Sequence, residues 1–169
     1  KQSGADVLAI PHNGNLSNGL MFSVETNDGK PLTKELAMLR ADLEPLVEVT
    51  QIKGDGETHP FLSPNDEFAD FETWDDANLD GTEIKKKEML QYEYARSALK
   101  IGLMMEKELG VNPFKFGMAA GTRMACSDMK VADQFNSLIP MARSYEISDM
   151  QLHLFDASGQ EILVFGKTD

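Results

Sequence analysis

With 169 residues, 41% hydrophobic and 26% charged, the chain has the composition of a globular protein and length for one proper core or two small ones. A net charge of −12 argues against nucleic acid as a partner, because phosphate binding relies on clustered Lys and Arg. No stretch is long and apolar enough to span a bilayer, and the single cysteine, Cys126, excludes an internal disulfide or a cysteine-rich zinc site.

The charge is uneven. Residues 1–112 hold 11 Lys/Arg against 21 Asp/Glu, and residues 113–169 hold 5 against 7. An acidic first part is compatible with cation binding, although such surfaces ordinarily serve solubility. The chain opens on Lys1, so its start gives no reading of a leader or compartment.

In chain order, "DVLAI" (6–10) reads as a strand buried on both faces, followed by "PHNGN" and further turn residues up to "NDGKP" (27–31). Thr33 is placed to cap a helix through "KELAMLRADL", with Leu36, Leu39 and Leu43 on one face. "LVEVTQI" (46–52) is β-branched and predicts a second strand. Strand, helix, strand is the crossover unit of a parallel sheet, which collects functional residues at the carboxyl ends of its strands. His12 falls at such an end and Glu48 inside the second strand. A histidine there can equally be a bystander, but a carboxylate in an apolar strand requires a cation, a hydrogen-bond network or solvent.

Residues 55–83 contain ten acidic residues, no Lys or Arg, and the aromatics Phe61, Phe68, Phe71 and Trp74, predicting a long irregular excursion pinned by rings. "DANLDGTE" (76–83) lacks the alternating oxygen ligands and closing glutamate of an EF-hand. A helix is predicted from Thr82 to Leu109, with Tyr94, Ala98, Ile101, Met105 and Leu109 on one face and Gly110 as its stop. Beyond Pro113, "FKFGM" is a strand candidate, and "SDMKVADQFNSLIPMA" a helix capped by Ser127 or Asp128. "MQLHLFD" and "QEILVF" flank "ASG" as a hairpin, with His153 on its exposed face. Cys126 reads as a small packing residue, since no candidate base lies near it in sequence.

"GADVLAIPHNGNLSNGLMF", "LVEVTQIKGDGETHPFLSPNDEFADFE" and "YARSALKIGLMMEKELGVNPFKFGM" resemble the DUF3604 family, relatives of the PHP metal-dependent hydrolases. The resemblance implies α/β architecture with parallel β-α-β units over residues 1–112 and metal at the strand ends. His12 matches a metal-binding histidine and Glu48 the strand carboxylate; His59 of "ETHP" is a further candidate ligand. Asn13 and Asn15 are implied to support the site or touch substrate. A divalent metal (zinc, manganese or iron) would activate water for phosphoester-type hydrolysis, with no nucleotide cofactor. The His-x-His and Asp-x-His segments of PHP-like proteins are not found in this chain.

"FKFGMAAGTRMACSDM", "ADQFNSLIPMARSYEI" and "MQLHLFDASGQEILVF" resemble the C-terminal half of a META (HslJ-like) domain, implying an α+β unit over residues 113–169 that ends in an antiparallel hairpin. The alternative function is then a non-catalytic envelope or interaction protein. The two resemblances together favour a bacterial periplasm or envelope setting, and exposed strand edges favour a homo-oligomer.

Overall fold

The structure is a computed structural model that describes residues 6–115 and 130–166. It combines helices with small antiparallel sheets and divides into two compact units, residues 1–117 and 118–169.

In the first unit, helix α1 (Lys34–Leu43) begins where the sequence predicts, with the Thr33 hydroxyl accepting the Leu36 N–H. Its buried side is not the leucine stripe. Ala37 is fully buried, while Leu36 and Leu39 are 40% and 50% exposed. Arg40 explains the rotation. Its guanidinium donates to the carbonyls of Met21 and Ser23, pairs with Glu44 at 2.9 Å, and sits 4.7 Å from the centre of the Phe114 ring. The cation thus turns the Ala37–Arg40 side toward the core.

The predicted parallel strands are the clearest correction. Residues 6–12 run beside the end of α1 and residues 44–49, with Ala9 N–H on Leu43 O (2.8 Å) and Glu48 N–H on Pro11 O (2.9 Å), yet 6–12 and 44–49 are both irregular. The described part of this unit forms one short antiparallel ladder, β1 (Thr50–Gln51) with β2 (Gly54–Asp55). A strand apolar on both faces needs cover on both, and here Val7, Leu8 and Ile10 are all exposed.

The long predicted helix is two pieces. A 3-10 segment, Lys87–Tyr92, is followed by extended Tyr94 (φ −111°, ψ 140°), and only then by α2 (Ala95–Leu109). Glycine 110 ends α2 as expected, with φ 73° and its N–H bonded to Glu106 O. The core gathers Phe22, Ala98, Met105 and Phe114, the two phenylalanine rings meeting edge to face at 5.6 Å. Phe114 therefore packs from a turn, and residues 116–118 of the predicted "FKFGM" strand lie outside the described residues.

The described residues of the second unit start with α3 (Lys130–Leu138) and a 3-10 turn, Ile139–Met141. Its predicted cap at Ser127 or Asp128, like Cys126, lies outside the described residues. Three antiparallel strands follow: β3 (Ser144–Ser148), β4 (Gln151–Phe155) and β5 (Glu161–Gly166), in that order across the sheet. The β4–β5 hairpin matches the sequence reading, turning at Gly159 (φ 83°). His153 is not wholly exposed: its side chain is half-buried and its Nδ1 lies 2.7 Å from Glu161. Phe135 of α3 meets Phe165 of β5 edge-on at 6.2 Å.

Candidate functional site

The loop from Pro11 to Gly19 is built by its turn residues. Asn13 takes the left-handed conformation (φ 57°, ψ 34°), which asparagine tolerates, and reverses the chain into a 3-10 turn, Gly14–Leu16. Asn18 (φ 48°) and Gly19 (φ 84°) reverse it again.

His12 stands exposed at the start of this loop. Its Nδ1 lies 3.2 Å from the carbonyl of Ile10, which can only accept, so in the neutral ring Nδ1 carries the proton and Nε2 the lone pair. Metal-binding histidines are commonly oriented in this way by a backbone carbonyl behind the ring. Glu48 is also exposed, and its own N–H donates to Pro11 O, one residue before His12. The structure therefore brings the His12 and Glu48 backbones together. Asn13 Oδ1 is buried and has no hydrogen-bond partner among the described residues.

His59 is committed elsewhere. Its Nδ1 accepts the Phe61 N–H at 3.0 Å, which puts the ring proton on Nε2, and Nε2 lies 2.9 Å from Asp75. Neither nitrogen offers a free lone pair in this arrangement. Asn15 is fully buried, donating its side-chain amide to Lys53 O at 3.1 Å. Among the described residues, no group of three or more His, Cys, Asp or Glu is placed to hold a metal ion.

Beneath the loop is a feature that sequence reasoning missed. Lys85 and Glu93 form an ion pair with side chains only 3% and 0% exposed, Nζ reaching the two carboxylate oxygens at 2.6 and 2.7 Å. The third Lys85 donor goes to the backbone carbonyl of Asn15 at 2.7 Å. Burial pushes the Glu93 carboxyl above its ordinary range, opposed by Lys85 and by the backbone N–H groups of Gly19 and Asn18. Next to it, Tyr94 is fully buried, its hydroxyl without a partner among the described residues and pushed upward by burial and by Glu93, Asp75 and Asp55. The helix expected over residues 82–94 would leave the pair no reason to form. On a continuous surface helix, Lys85 and Glu93 would be ordinary solvated charges.

A cavity of about 700 Å³ opens along α2, lined by Leu32, Leu62, Arg96, Ile101 and Met105 among others. None of His12, Glu48 and His59 lines it.

Residues 1–151 match the family model described as "Protein of unknown function (DUF3604)". The chain belongs to this family. The DUF3604 match crosses the boundary expected at residues 112 and 113 and takes in α3 and β3. No curated protein and no solved structure matches the chain. No helix among the described residues is long and apolar enough to cross a membrane.

Proposed function

We propose that this DUF3604 chain carries part of a PHP-like, metal-dependent phosphoester hydrolase site, with His12 and Glu48 as ligands. The observation that carries the reading is the Glu48 N–H to Pro11 O hydrogen bond, which sets the carboxylate's segment against that of the histidine. The donor set fits a divalent zinc, manganese or iron ion: an imidazole nitrogen backed by a carbonyl, a carboxylate, and the unpartnered Asn13 Oδ1 nearby in the same loop. Such an ion supplies the Lewis acidity that makes water nucleophilic near neutral pH.

The chain's own contribution is positional. The Ile10 carbonyl fixes the His12 tautomer, and the left-handed turn at Asn13 carries the chain from the exposed histidine into the buried Asn15. Asn13 and Asn15 support the loop or meet substrate. His59 joins the ligands only by giving up Phe61 or Asp75. The test is hydrolysis of an aryl phosphoester with Mn²⁺, Zn²⁺ or Fe²⁺ added. Activity abolished by His12→Ala supports the reading; activity unchanged in that variant, or none with any of the three metals, refutes it.

A second reading is a META-like, non-catalytic interaction role for residues 113–169. It is supported by the three-stranded antiparallel sheet, whose outer strands β3 and β5 each have an unpaired side among the described residues. Concentration-independent monomer in sedimentation would remove the self-association part of this reading.

A further inference from the structure

A buried ion pair is a weak stabiliser in general, because desolvation offsets most of the attraction and apolar replacements do as well. Where its remaining hydrogen bonds go is therefore more informative than its presence. Lys85 has three ammonium donors, and two meet Glu93 while the third meets the carbonyl of Asn15. Glu93 in turn faces the backbone N–H groups of Asn18 and Gly19. The Lys85 bond to Asn15 and these N–H groups all fall on the same seven-residue loop, Asn13–Gly19.

Steric contact reinforces the polar one. A Cβ on Gly14 would lie 2.4 Å from the backbone oxygen of Glu93, so the loop and residue 93 approach as closely as glycine allows. Phe22 N–H bonds Tyr92 O at 2.9 Å just past the loop, and Asn18 donates its side-chain amide to Glu83 O at 2.9 Å. His12 itself makes none of these contacts. Its backbone leads directly into the left-handed turn that they secure.

We infer that Lys85 and Glu93 are positioning residues whose buried pair fixes the Asn13–Gly19 loop and thereby sets where His12 and Asn13 present their donors. The inference rests on the metal-site reading above. In it, Lys85 and Glu93 touch neither metal nor substrate and act only through the loop. An ion pair is suited to the task because it combines direction with strength: two Lys85 donors are fixed by Glu93, which aims the third at the Asn15 carbonyl, where an apolar plug would fill the space and specify no such bond.

The experiment uses the full chain and the double variant Lys85→Met/Glu93→Leu, which removes both charges together and so leaves no buried ion unpaired. Two measurements are made on each protein: hydrogen–deuterium exchange of residues 14–22 against α2, and calorimetric titration with Mn²⁺. The expected result is faster exchange confined to residues 14–22, α2 unchanged, and Mn²⁺ affinity lowered about tenfold or more, the scale for losing a group that orients a ligand. Equal rises in the loop and α2 would mean general support of the fold and would overturn the inference. Unchanged loop exchange, or unchanged Mn²⁺ affinity, would overturn it too while leaving the metal reading intact. A wild-type protein that binds no Mn²⁺ refutes the metal reading and with it the ligand-presenting role, and the exchange data then decide only whether the loop is clamped. If the apolar double variant does not fold, Lys85→Met/Glu93→Gln keeps an acceptor for Asn18 and Gly19. It is expected to show a smaller effect of the same kind, and no effect overturns the inference.

Discussion

The two units hold themselves together by different means. In residues 130–166 nearly every described residue belongs to a helix, a strand or a tight turn, and none is buried. In residues 6–115 regular elements are few, yet Phe22, Tyr94, Phe114, Asn15 and Glu93 are almost wholly enclosed. Backbone ladders organise the second unit. Side chains bonded to distant backbone organise the first: Lys85 to Asn15, Arg40 to Met21 and Ser23, Asn18 to Glu83. Regular structure and a packed core are thus separable properties, and the candidate site lies where irregular backbone is locked by non-local polar contacts.

Breaking one side of that contrast has the largest expected effect. Lys85→Met alone leaves the buried Glu93 carboxyl without its cation, to be held as an uncompensated charge or neutralised at a cost, so the first unit is expected to lose roughly 3–5 kcal/mol in urea unfolding. Restoring balance with Glu93→Leu should recover most of that loss. A loss under 1 kcal/mol for the single variant would mean the pair is hydrated and the contrast overstated.

The same residue type can be tested in both units. Phe114→Ala removes a fully buried ring that touches Phe22 and the Arg40 guanidinium, and should cost about 3–5 kcal/mol. Phe135→Ala removes a ring that is 42% exposed and meets Phe165 edge-on, and should cost about 1 kcal/mol. Denaturant melts followed by unit-specific fluorine labels would separate them. Equal losses would contradict the account.

The smallest effect is a pH dependence in the second unit. Hydrogen bonds from the Ser158 hydroxyl, and from the backbone N–H groups of Gln160 and Ser158, hold Asp156 below its ordinary 3.8. Because the folded value is depressed, the stability it adds is complete above 3.8 and is lost as pH falls through the lower folded value. An NMR titration of the Asp156 carboxyl should give a midpoint below 3.8, and Asp156→Asn should flatten the acid dependence of the hairpin. A midpoint at or above 3.8 would show that the turn does not bind the carboxylate.

What the sequence revealed follows the same division. Thr33, Gly110 and the Ala157–Gly159 turn were legible because each acts on backbone within a few residues of itself. The buried face of α1 was not, because Arg40 draws its partners from residues 21, 23 and 114, far along the chain. The break at Tyr94 was hidden for a related reason. Helical spacing from Tyr94 to Leu109 shows nothing of it, and the buried Lys85–Glu93 pair, which bonds onward to Asn15 far along the chain, accompanies the extended conformation there. For the site, "PHNGN" announced a turn and a candidate ligand, but nothing local announced that Lys85 and Glu93 lie beneath it or that Asp75 and Phe61 occupy both nitrogens of His59.

The metal reading itself is tested most directly by Mn²⁺ binding, followed by electron paramagnetic resonance and calorimetry on the wild type and three variants. One Mn²⁺ per chain is expected, lost in His12→Ala and in Glu48→Gln but kept in His59→Gln. Well-folded protein that takes up no Mn²⁺, or that binds it equally well without the His12 imidazole, would contradict the account.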